Sequence, residues 1–393
     1  MKIEFPFHIG YNRLMSLQTI QTPIPEGFID LGVGDPQFDL LPLQLLRDAA
    51  QDRLSQSDNS FLQYGAEQGD GYFRAALADF LTSRYGFPVS YEELFVTSGI
   101  SSGLDLLCTI FAKAGDTIFV EEPSYFLALR IFADHGLNVI SIQTDENGLV
   151  LEDLAQTLKI HHPKFLYIIP TFQNPSGRTL PEERRAQLVS IAQEHDFLIA
   201  ADEVYHFLSY TQSPPKFFGA YIDSGHVIAL NTFSKILAPG LRLGWMQTHA
   251  SLMQKIITCG VLDSGGGMNP FTSAIVRIVI ESGGLEQNIA KLVSVYGQRV
   301  NVMDECLRKE LPEARFTTPH GGYFFWVQLP GMDAQELQAR AKENQVGLRP
   351  GIRFSSQNGL RDYFRLSISF YDVGKIEEGI KRLKASISKN SSA

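Results

Sequence analysis

The chain has 393 residues, of which 44% are hydrophobic, so it can bury a large core and form about two or three domains. It carries 34 Lys and Arg residues against 43 Asp and Glu residues, and this net charge of −9 argues against nucleic acid or anionic membranes as main partners. Its three cysteines, Cys108, Cys259 and Cys306, form neither a metal spacing nor a disulfide framework, which favours a reducing, cytoplasmic setting. The N-terminus, with Glu4 and Arg13, is not typical of a signal peptide, and no run is long and apolar enough to predict a membrane span.

Strand-like apolar runs alternate with helix-like stretches between Glu93 and Phe233. In chain order the runs are ELFVT, DTIFVEEP, LNVISIQ, KFLYIIP, FLIAADEV and VIALNTF. This alternation predicts an α/β domain built on a largely parallel sheet. The pattern becomes helical from about Ala274 to Leu311, and two later strand-like runs, GGYFFWVQLP and FRLSISF, predict a smaller α+β domain.

Polar residues follow several of these runs, and open α/β sheets bind ligands at the carboxyl ends of their strands. After ELFVT, the turn SGISSG opens a helix whose free amides could bind a phosphate, although a plain capped helix explains these residues more simply. After KFLYIIP, Asn174 precedes Pro175 in a tight turn. Its side-chain amide could donate to a ligand oxygen or could serve the turn alone.

Asp202 ends the apolar run FLIAA, and Tyr205 follows three residues later. A carboxylate at the end of a buried strand is costly unless it meets a cation or a strong donor, such as a protonated ring nitrogen. Tyr205 would lie on the same side if the chain turns helically at this point. A helix N-cap at Asp202 explains the carboxylate equally well.

Lys235 follows the apolar run VIAL within the segment NTFSKILAPGLRLGW. Thr232 and Ser234 place hydroxyls beside it, and a Pro-Gly turn returns Arg242 toward the same place. Lysine condenses with a carbonyl when burial or nearby cations destabilise its ammonium, and hydroxyls with a guanidinium bind phosphate well. The segment therefore predicts covalent binding of a phosphorylated aldehyde. The alternative is an ordinary strand and turn with Lys and Arg at the surface.

Four further side chains have two interpretations each. The segment EEPSYF, from Glu121 to Phe126, ends another strand and carries Tyr125, whose ring could stack on a flat ligand or only pack. Arg365 lies among apolar neighbours in FRLSISF, which indicates a carboxylate partner that is either a ligand or an internal acid. Arg349 and Arg353 could contact a substrate side chain, and we favour solvent for both.

Together the motifs NPSG, DEVY and FSKILAPGLRLGW, in this order, resemble the fold type I pyridoxal phosphate enzymes of aminotransferase class I/II. The resemblance is strongest to the branch of 2-aminoadipate and kynurenine aminotransferases, and it runs from Gly32 to Arg365 and beyond. It implies a large domain with a mostly parallel seven-stranded sheet flanked by helices, and a smaller α+β domain. The expected boundaries are 1–45 for an N-terminal arm and part of the small domain, 46–285 for the large domain and 286–393 for the C-terminal small domain.

Carried onto matching positions, the resemblance implies that Lys235 is the catalytic residue and holds the cofactor, pyridoxal 5'-phosphate, as an internal aldimine. The expected cofactor-binding residues are Ile100, Ser101, Tyr125, Asn174, Asp202, Tyr205, Thr232, Ser234, Lys235 and Arg242. Tyr64 is expected to reach the phosphate of the neighbouring subunit in a homodimer. The expected substrate-binding residues are Gly34, Asn174 and Arg365, and no metal is expected.

Three features depart from the family pattern. Ile100 and Ser101 stand where relatives carry a serine and a glutamine, so backbone contacts to the phosphate are expected there rather than side-chain contacts. Asn231 replaces a usual glycine. The glycine run 265–267 suggests an altered pocket wall.

The leading functional hypothesis is an aminotransferase that exchanges an amino group between an L-amino acid and a 2-oxo acid by a ping-pong reaction. The same residues would also support a lyase that catalyses β- or γ-elimination or cyclopropane formation. A non-catalytic regulator fused to a winged helix is the least favoured hypothesis, because only about 30 residues precede Gly32 and they are not basic.

Overall fold

The computed structural model describes residues 18, 20–21, 23–211 and 213–388. The expectations for the extreme N-terminus and for residues 389–393 therefore lie outside the described residues. The strands are β1 (Ile29–Asp30), β2 (Leu94–Thr97), β3 (Thr117–Glu122), β4 (Asn138–Asp145), β5 (Gly148–Leu149), β6 (Phe165–Ile168), β7 (Leu198–Asp202), β8 (Val227–Thr232), β9 (Gly244–Thr248), β10 (Phe324–Gln328), β11 (Val346–Gly347), β12 (Arg349–Pro350) and β13 (Tyr363–Ser367). The helices are α1 (Leu43–Ser55), α2 (Gly71–Tyr85), α3 (Ile100–Phe111), α4 (Phe126–Asp134), α5 (Leu151–Leu158), α6 (Glu182–His195), α7 (Ala250–Ile257), α8 (Gly260–Gly265), α9 (Pro270–Glu281), α10 (Gly284–Glu310), α11 (Ala334–Glu343) and α12 (Val373–Ser388).

The central sheet has the strand order β2-β9-β8-β7-β6-β3-β4-β5. The neighbouring pairs from β8 to β4 are parallel, whereas β9 runs antiparallel to both of its neighbours. The predicted α/β fold and largely parallel sheet are confirmed. The sheet has eight strands rather than the expected seven, because a tight turn with Gly148 at φ 87° folds the two-residue strand β5 back onto β4. That hairpin is too short to show an alternating pattern in the sequence.

Apolar side chains from both faces of the sheet form the core. On β6, Phe165 and Tyr167 belong to a large cluster that includes residues of α2 and α3. Leu166 and Ile168 face the opposite cluster, which includes residues of α5 and α6. This alternation follows from the two-residue period of a strand, and it explains why a strand covered on both faces is continuously apolar.

Helix boundaries in the large domain follow local signals. The side chain of Asp70 accepts a hydrogen bond from the amide of Phe73 (2.7 Å) and caps α2, which ends at Gly86 in the left-handed region (φ 73°). The helical stretch expected from Ala274 to Leu311 is two helices, α9 and α10, because Gly283 takes a positive φ of 72° between them.

The smaller α+β unit combines residues from near the start and the end of the chain. Strand β1 pairs in parallel with β11, and β10, β13 and β12 form an antiparallel sheet. Helix α10 packs on α12, whereas α1 packs on α9. Among the described residues, no helix has both the length and the apolarity needed to cross a membrane. The described ranges also contain no cluster of three or more His, Cys, Asp or Glu side chains placed to hold a metal.

Candidate functional site

Lys235 lies in the turn after β8, and its Nζ donates a hydrogen bond to the carbonyl of Gly34 (2.9 Å). The side chain is half-buried. Burial lowers the pKa of Lys235, and the positive charges of Arg365 and Arg242 lower it further, while Asp35 and Asp202 act in the opposite direction. An amine whose pKa is lowered is closer to the neutral form that attacks a carbonyl carbon. The expected influence of Arg242 on this amine is therefore present.

Asp202 ends β7 and is only 2% exposed. The hydroxyl of Tyr167 donates to its Oδ2 (2.9 Å), and the amide of Val204 donates to its Oδ1 (3.3 Å). A turn, and not a helix, follows Asp202, so the alternative of a helix N-cap is wrong. Burial raises the pKa of Asp202 to about 7. A cation at its free edge would stabilise the carboxylate form.

A polar cup lies where β2 and β8 end and β9 begins, with Thr97 and Thr232 both opposite Gly244. Helix α3 begins here at Ile100, and its N-cap residue, Gly99, provides no side-chain cap. The first amides of α3, including those of Ile100 and Ser101, are therefore available to an anion. The N-cap of α3 is thus a glycine, as the simpler interpretation of this turn allows, and no side chain occupies its first amides.

Arg242 and two hydroxyls complete this cup. Arg242 Nη2 donates to the carbonyl of Ser98 (3.1 Å), and the hydroxyls of Thr232 and Ser234 lie 2.9 Å apart. A Cβ at Gly99 would lie 3.0 Å from Arg242 Nη2, so the glycine allows the guanidinium to approach the start of α3. Arg242 itself has a positive φ of 48° at the turn that brings it back.

Arg365 is 4% exposed and lies between the rings of Phe324 and Phe354, with its Cζ 3.9 and 5.0 Å from their centroids. Its Nη1 donates to Asn174 Oδ1 (2.8 Å) and its Nη2 donates to the carbonyl of Gly32 (2.7 Å). Both acceptors are neutral, and the buried Nε has no hydrogen-bond partner among the described residues. Burial lowers the pKa of Arg365 to about 10. These contacts favour a ligand carboxylate over an internal ion pair.

The two other tail arginines differ. Arg349 pairs with Asp30 (2.9 Å), so the expectation that it faces solvent is wrong. Arg353 is exposed.

The family model for class I and II aminotransferases matches residues 26–383. The chain is 35% identical to aromatic-amino-acid aminotransferase 1 of Thermococcus litoralis, with 91% of this chain and 88% of that protein covered. The chain belongs to the class I and II aminotransferases. The kynurenine aminotransferase of Pyrococcus horikoshii, solved with PMP, has a TM-score of 0.87 at 34% identity, covering 93% of this chain and 92% of that one. LysN, the α-aminoadipate aminotransferase of Thermus thermophilus solved with N-(5'-phosphopyridoxyl)-L-leucine, has a TM-score of 0.84 at 30% identity, covering 93% of each chain.

This aminotransferase uses pyridoxal phosphate and moves an amino group between an amino acid and a 2-oxo acid, as predicted from the sequence. The lyase alternative is not favoured, because the similar proteins named above are aminotransferases. The residues of the chain fit the cofactor. A buried carboxyl with a raised pKa suits a cationic ring nitrogen, and the uncapped start of α3 beside Arg242 suits a phosphate.

Two tyrosines bring aromatic rings to this aminotransferase site. Tyr125 follows β3 and is half-buried, and burial together with the charge of Asp202 raises its pKa to about 12. Tyr205 is buried, with its ring centroid 5.3 Å from that of Tyr323 and 5.7 Å from that of Phe324. Burial raises the pKa of Tyr205 well above its usual range, so its hydroxyl stays protonated.

Sequence reasoning missed three residues of the site. Tyr323 lies with its ring centroid 5.5 Å from Lys235 Nζ, and its hydroxyl donates to the Lys235 carbonyl (3.3 Å). Asn269 donates through Nδ2 to Ser98 Oγ (3.2 Å) and to the Arg242 carbonyl. It therefore links the turn before α3 to the turn that carries Arg242. Tyr167 lies within an apolar run that looks like ordinary core. No local pattern reveals these contacts, because each joins distant parts of the chain.

Tyr64 is the expected site residue that is not brought to this cluster within one chain. Its side chain is 83% exposed. Its neighbour Gly65 bridges to Gly267, so the unusual glycine run lies beside the Tyr64 loop. A Cβ at Gly267 would lie 1.9 Å from the Ala66 carbonyl, which explains why glycine occupies that position.

Asn231, the other departure from the family pattern, is fully buried at the end of β8. Its Oδ1 accepts a hydrogen bond from the amide of Thr232 (2.7 Å), so it supports the strand end that precedes Lys235.

Proposed function

We propose that the expected site residues take the following roles in this aminotransferase. The observation that carries the proposal is the partly buried amine of Lys235, whose pKa is lowered, together with the buried carboxyl of Asp202 and the buried guanidinium of Arg365. When bound, pyridoxal phosphate supplies an aldehyde that condenses with amines and a ring that accepts electrons from the bond being broken. Lys235 binds the cofactor covalently and then moves the proton between the substrate Cα and the cofactor C4′.

Asp202 and the aromatic residues hold the ring. Asp202 faces the ring nitrogen, and Tyr125 stacks on the ring. Asn174 donates to the ring hydroxyl oxygen, with Tyr205 as a second partner of that oxygen. The geometry supports the role of Asn174, because its Oδ1 accepts from Arg365 Nη1 and its Nδ2 is thereby directed elsewhere as a donor.

Two arginines bind the anionic groups. Arg242 binds the phosphate, together with Thr232, Ser234 and the first amides of α3, Ile100 and Ser101. Arg365 binds the α-carboxylate of the substrate, and Gly34 lines that carboxylate. The unpartnered Nε of Arg365 supports this role, since a carboxylate would accept from Nε and a neighbouring terminal nitrogen at once.

A panel of L-amino acids tests the proposal. Each is mixed with the cofactor-loaded protein, the visible cofactor absorbance is followed, and the bound cofactor is then identified by chromatography. Transamination converts it to pyridoxamine phosphate and releases one 2-oxo acid per site. A lyase would release a leaving group and return the original absorbance, which would contradict the proposal. The relatives named for aromatic amino acids, kynurenine and aminoadipate indicate which donors to include first.

We propose that the functional unit is a homodimer in which Tyr64 of one subunit reaches the phosphate held by the other. Support comes from the exposure of Tyr64 and from exposed apolar side chains nearby in sequence or packed beside its loop, Leu62, Tyr72 and Phe271. Co-expression of Tyr64→Ala with Lys235→Ala tests this. Each variant alone should be impaired. When the two subunits pair at random, about half of the dimers are hybrids, and one of the two sites in each hybrid is intact. About a quarter of all active sites should therefore be regained. No recovery would contradict sharing of the site.

We also propose a cytoplasmic location and the domain boundaries 1–45, 46–285 and 286–393. The cytoplasmic location is supported by the three free, dispersed cysteines, which suit a reducing setting. Of these, Cys108 is buried, and burial raises the pKa of its thiol to about 12. The boundary between the second and third segments is supported by α10, which begins at Gly284 and packs on α12. Residues 1–17, 19 and 22 of the first segment lie outside the described residues.

A further inference from the structure

Tyr167 is the side chain that donates a hydrogen bond to the Asp202 carboxylate. It lies on β6, next to β7, and the two strands pair in parallel with Tyr167 opposite Ala200. Its hydroxyl donates to Asp202 Oδ2 at 2.9 Å, and the whole side chain is 0% exposed. Within the described part of the chain, the other oxygen of Asp202 receives only the longer contact from the Val204 amide (3.3 Å). One edge of the carboxylate is therefore fixed, and the other can accept from a ligand.

The surroundings of Tyr167 keep this donor in place. Its ring packs edge to face against Phe132, with centroids 5.4 Å apart. Burial raises the pKa of Tyr167 well above its usual range, and the charge of Asp202 raises it further, so the hydroxyl carries its proton throughout the neutral range. A buried hydroxyl with one acceptor has a single favourable orientation.

Burial, two hydrogen bonds and two neighbouring charges influence the pKa of Asp202 and therefore its ionisation. Burial opposes ionisation of Asp202, and so does the neighbouring charge of Glu203. The hydrogen bond from Tyr167 is the largest influence in favour of the carboxylate, ahead of the Val204 amide and the charge of Lys235. Glu121, another buried carboxyl near the end of β3, accepts hydrogen bonds from the Ile169 amide (2.9 Å) and from Gln173 Nε2 (3.3 Å) rather than from Tyr167.

We propose that Tyr167 is a positioning residue that fixes the Asp202 carboxylate and keeps the negative charge on it, so that the shared proton rests on the ring nitrogen of bound pyridoxal phosphate. This inference rests on the proposed role of Asp202. The ring withdraws electrons strongly only when its nitrogen is protonated. Tyr167 therefore affects the reaction through Asp202, without touching substrate or cofactor.

The direct test is the ¹⁵N NMR signal of ¹⁵N-labelled pyridoxal phosphate bound to the Tyr167→Phe variant. The wild-type signal should be that of a protonated ring nitrogen, and Tyr167→Phe should move it toward the neutral position. The dissociation constant of the cofactor should rise about tenfold, since a hydrogen bond to a charged group is lost. Tyr85→Phe is the matched control, because Tyr85 is a half-buried tyrosine on α2 whose hydroxyl makes no hydrogen bond to Asp202. It should change neither value.

Asp202→Asn separates this inference from the proposed function. If Asp202→Asn leaves the ¹⁵N signal unchanged, the role of Asp202 fails and the inference fails with it. If Asp202→Asn shifts the signal but Tyr167→Phe does not, only the inference about Tyr167 is overturned. In the double variant, Tyr167→Phe should add less than about twofold to the loss of affinity, because its effect passes through Asp202. An additive loss of cofactor affinity would show that Tyr167 acts independently of Asp202, and it would overturn the inference.

A second substitution guards against misfolding of the phenylalanine variant. Fluorotyrosine incorporated at position 167 keeps the ring and makes the hydroxyl a stronger donor. It should leave the ring nitrogen at least as protonated as in the wild type and should not weaken cofactor binding. A shift toward the neutral position would overturn the inference.

Discussion

Arg365→Lys tests the binding of the substrate carboxylate most sharply. The guanidinium already donates to Asn174 Oδ1 and the Gly32 carbonyl, at 2.8 and 2.7 Å, and its Nε is unpartnered. A lysine ammonium keeps the positive charge but cannot present two N–H groups in one plane. One hydrogen bond to a charged group is worth about 1.5–3 kcal/mol, and about 1.4 kcal/mol is a factor of ten. We therefore expect kcat/KM to fall by about 10- to 100-fold.

The assay compares kcat/KM for one amino donor with the dissociation constant of pyridoxal phosphate, which should change by less than about threefold. Arg349→Lys is the matched control, because Arg349 lies directly opposite Arg365 in the same small sheet but is bound to Asp30 (2.9 Å). We expect it to lower kcat/KM by less than about threefold. Arg365→Ala should lose more than Arg365→Lys, since the charge is also removed.

Two outcomes would refute this reasoning. If Arg365→Lys and Arg365→Ala both keep the wild-type kcat/KM, the buried guanidinium is structural. If both substitutions at Arg365 weaken cofactor and substrate binding equally, the loss reflects damage to the site as a whole.

Two further predictions concern the cofactor site. Lys235→Ala should abolish the visible cofactor absorbance and all turnover. The thermal unfolding temperature of the cofactor-free variant should stay within a few degrees of the wild-type value. A variant that keeps the absorbance and the turnover would exclude Lys235 as the attachment point. In the cofactor-free protein, burial raises the pKa of Asp202 from 3.8 to about 7. The folded protein therefore holds this proton more tightly than the unfolded chain, and the resulting stabilisation is complete below about pH 4. This stabilisation is lost as the pH rises through about 7. Asp202→Asn should flatten the fall in the free energy of unfolding between pH 4 and 7, as measured by urea denaturation. A residual slope should remain from Glu121, whose pKa burial also raises to about 7, and an unchanged slope would contradict the raised pKa of Asp202.

The strand and helix pattern could be predicted because it is local. Each buried parallel strand is a continuous apolar run, and the polar residues that follow these runs were recognisable as the ligand-binding edge of the sheet. The eighth strand, β5, escaped prediction because two residues show no period. The break between α9 and α10 was missed because a glycine in a helical pattern does not reveal whether it adopts a positive φ.

The family motifs predict that Lys235, Asp202, Asn174 and Arg242 form one site, since each lies beside a strand end. The alternatives that sequence left open were decided by contacts between distant residues. Arg365 is buried with neutral acceptors, which only its position against Asn174 and Gly32 shows. The same is true of Arg349, whose ion pair with Asp30 spans nearly the whole chain.

The sequence by itself determined the chemistry of this aminotransferase, because a lysine, a carboxylate and an arginine at fixed places in its motifs are enough to specify the cofactor. The tertiary structure decided how those groups are tuned. Burial sets the pKa of Lys235 and of Asp202, and the hydroxyl of Tyr167 reaches Asp202 from the neighbouring strand. Desolvation and hydrogen bonds depend on which distant residues meet, and a one-dimensional pattern carries no information on that.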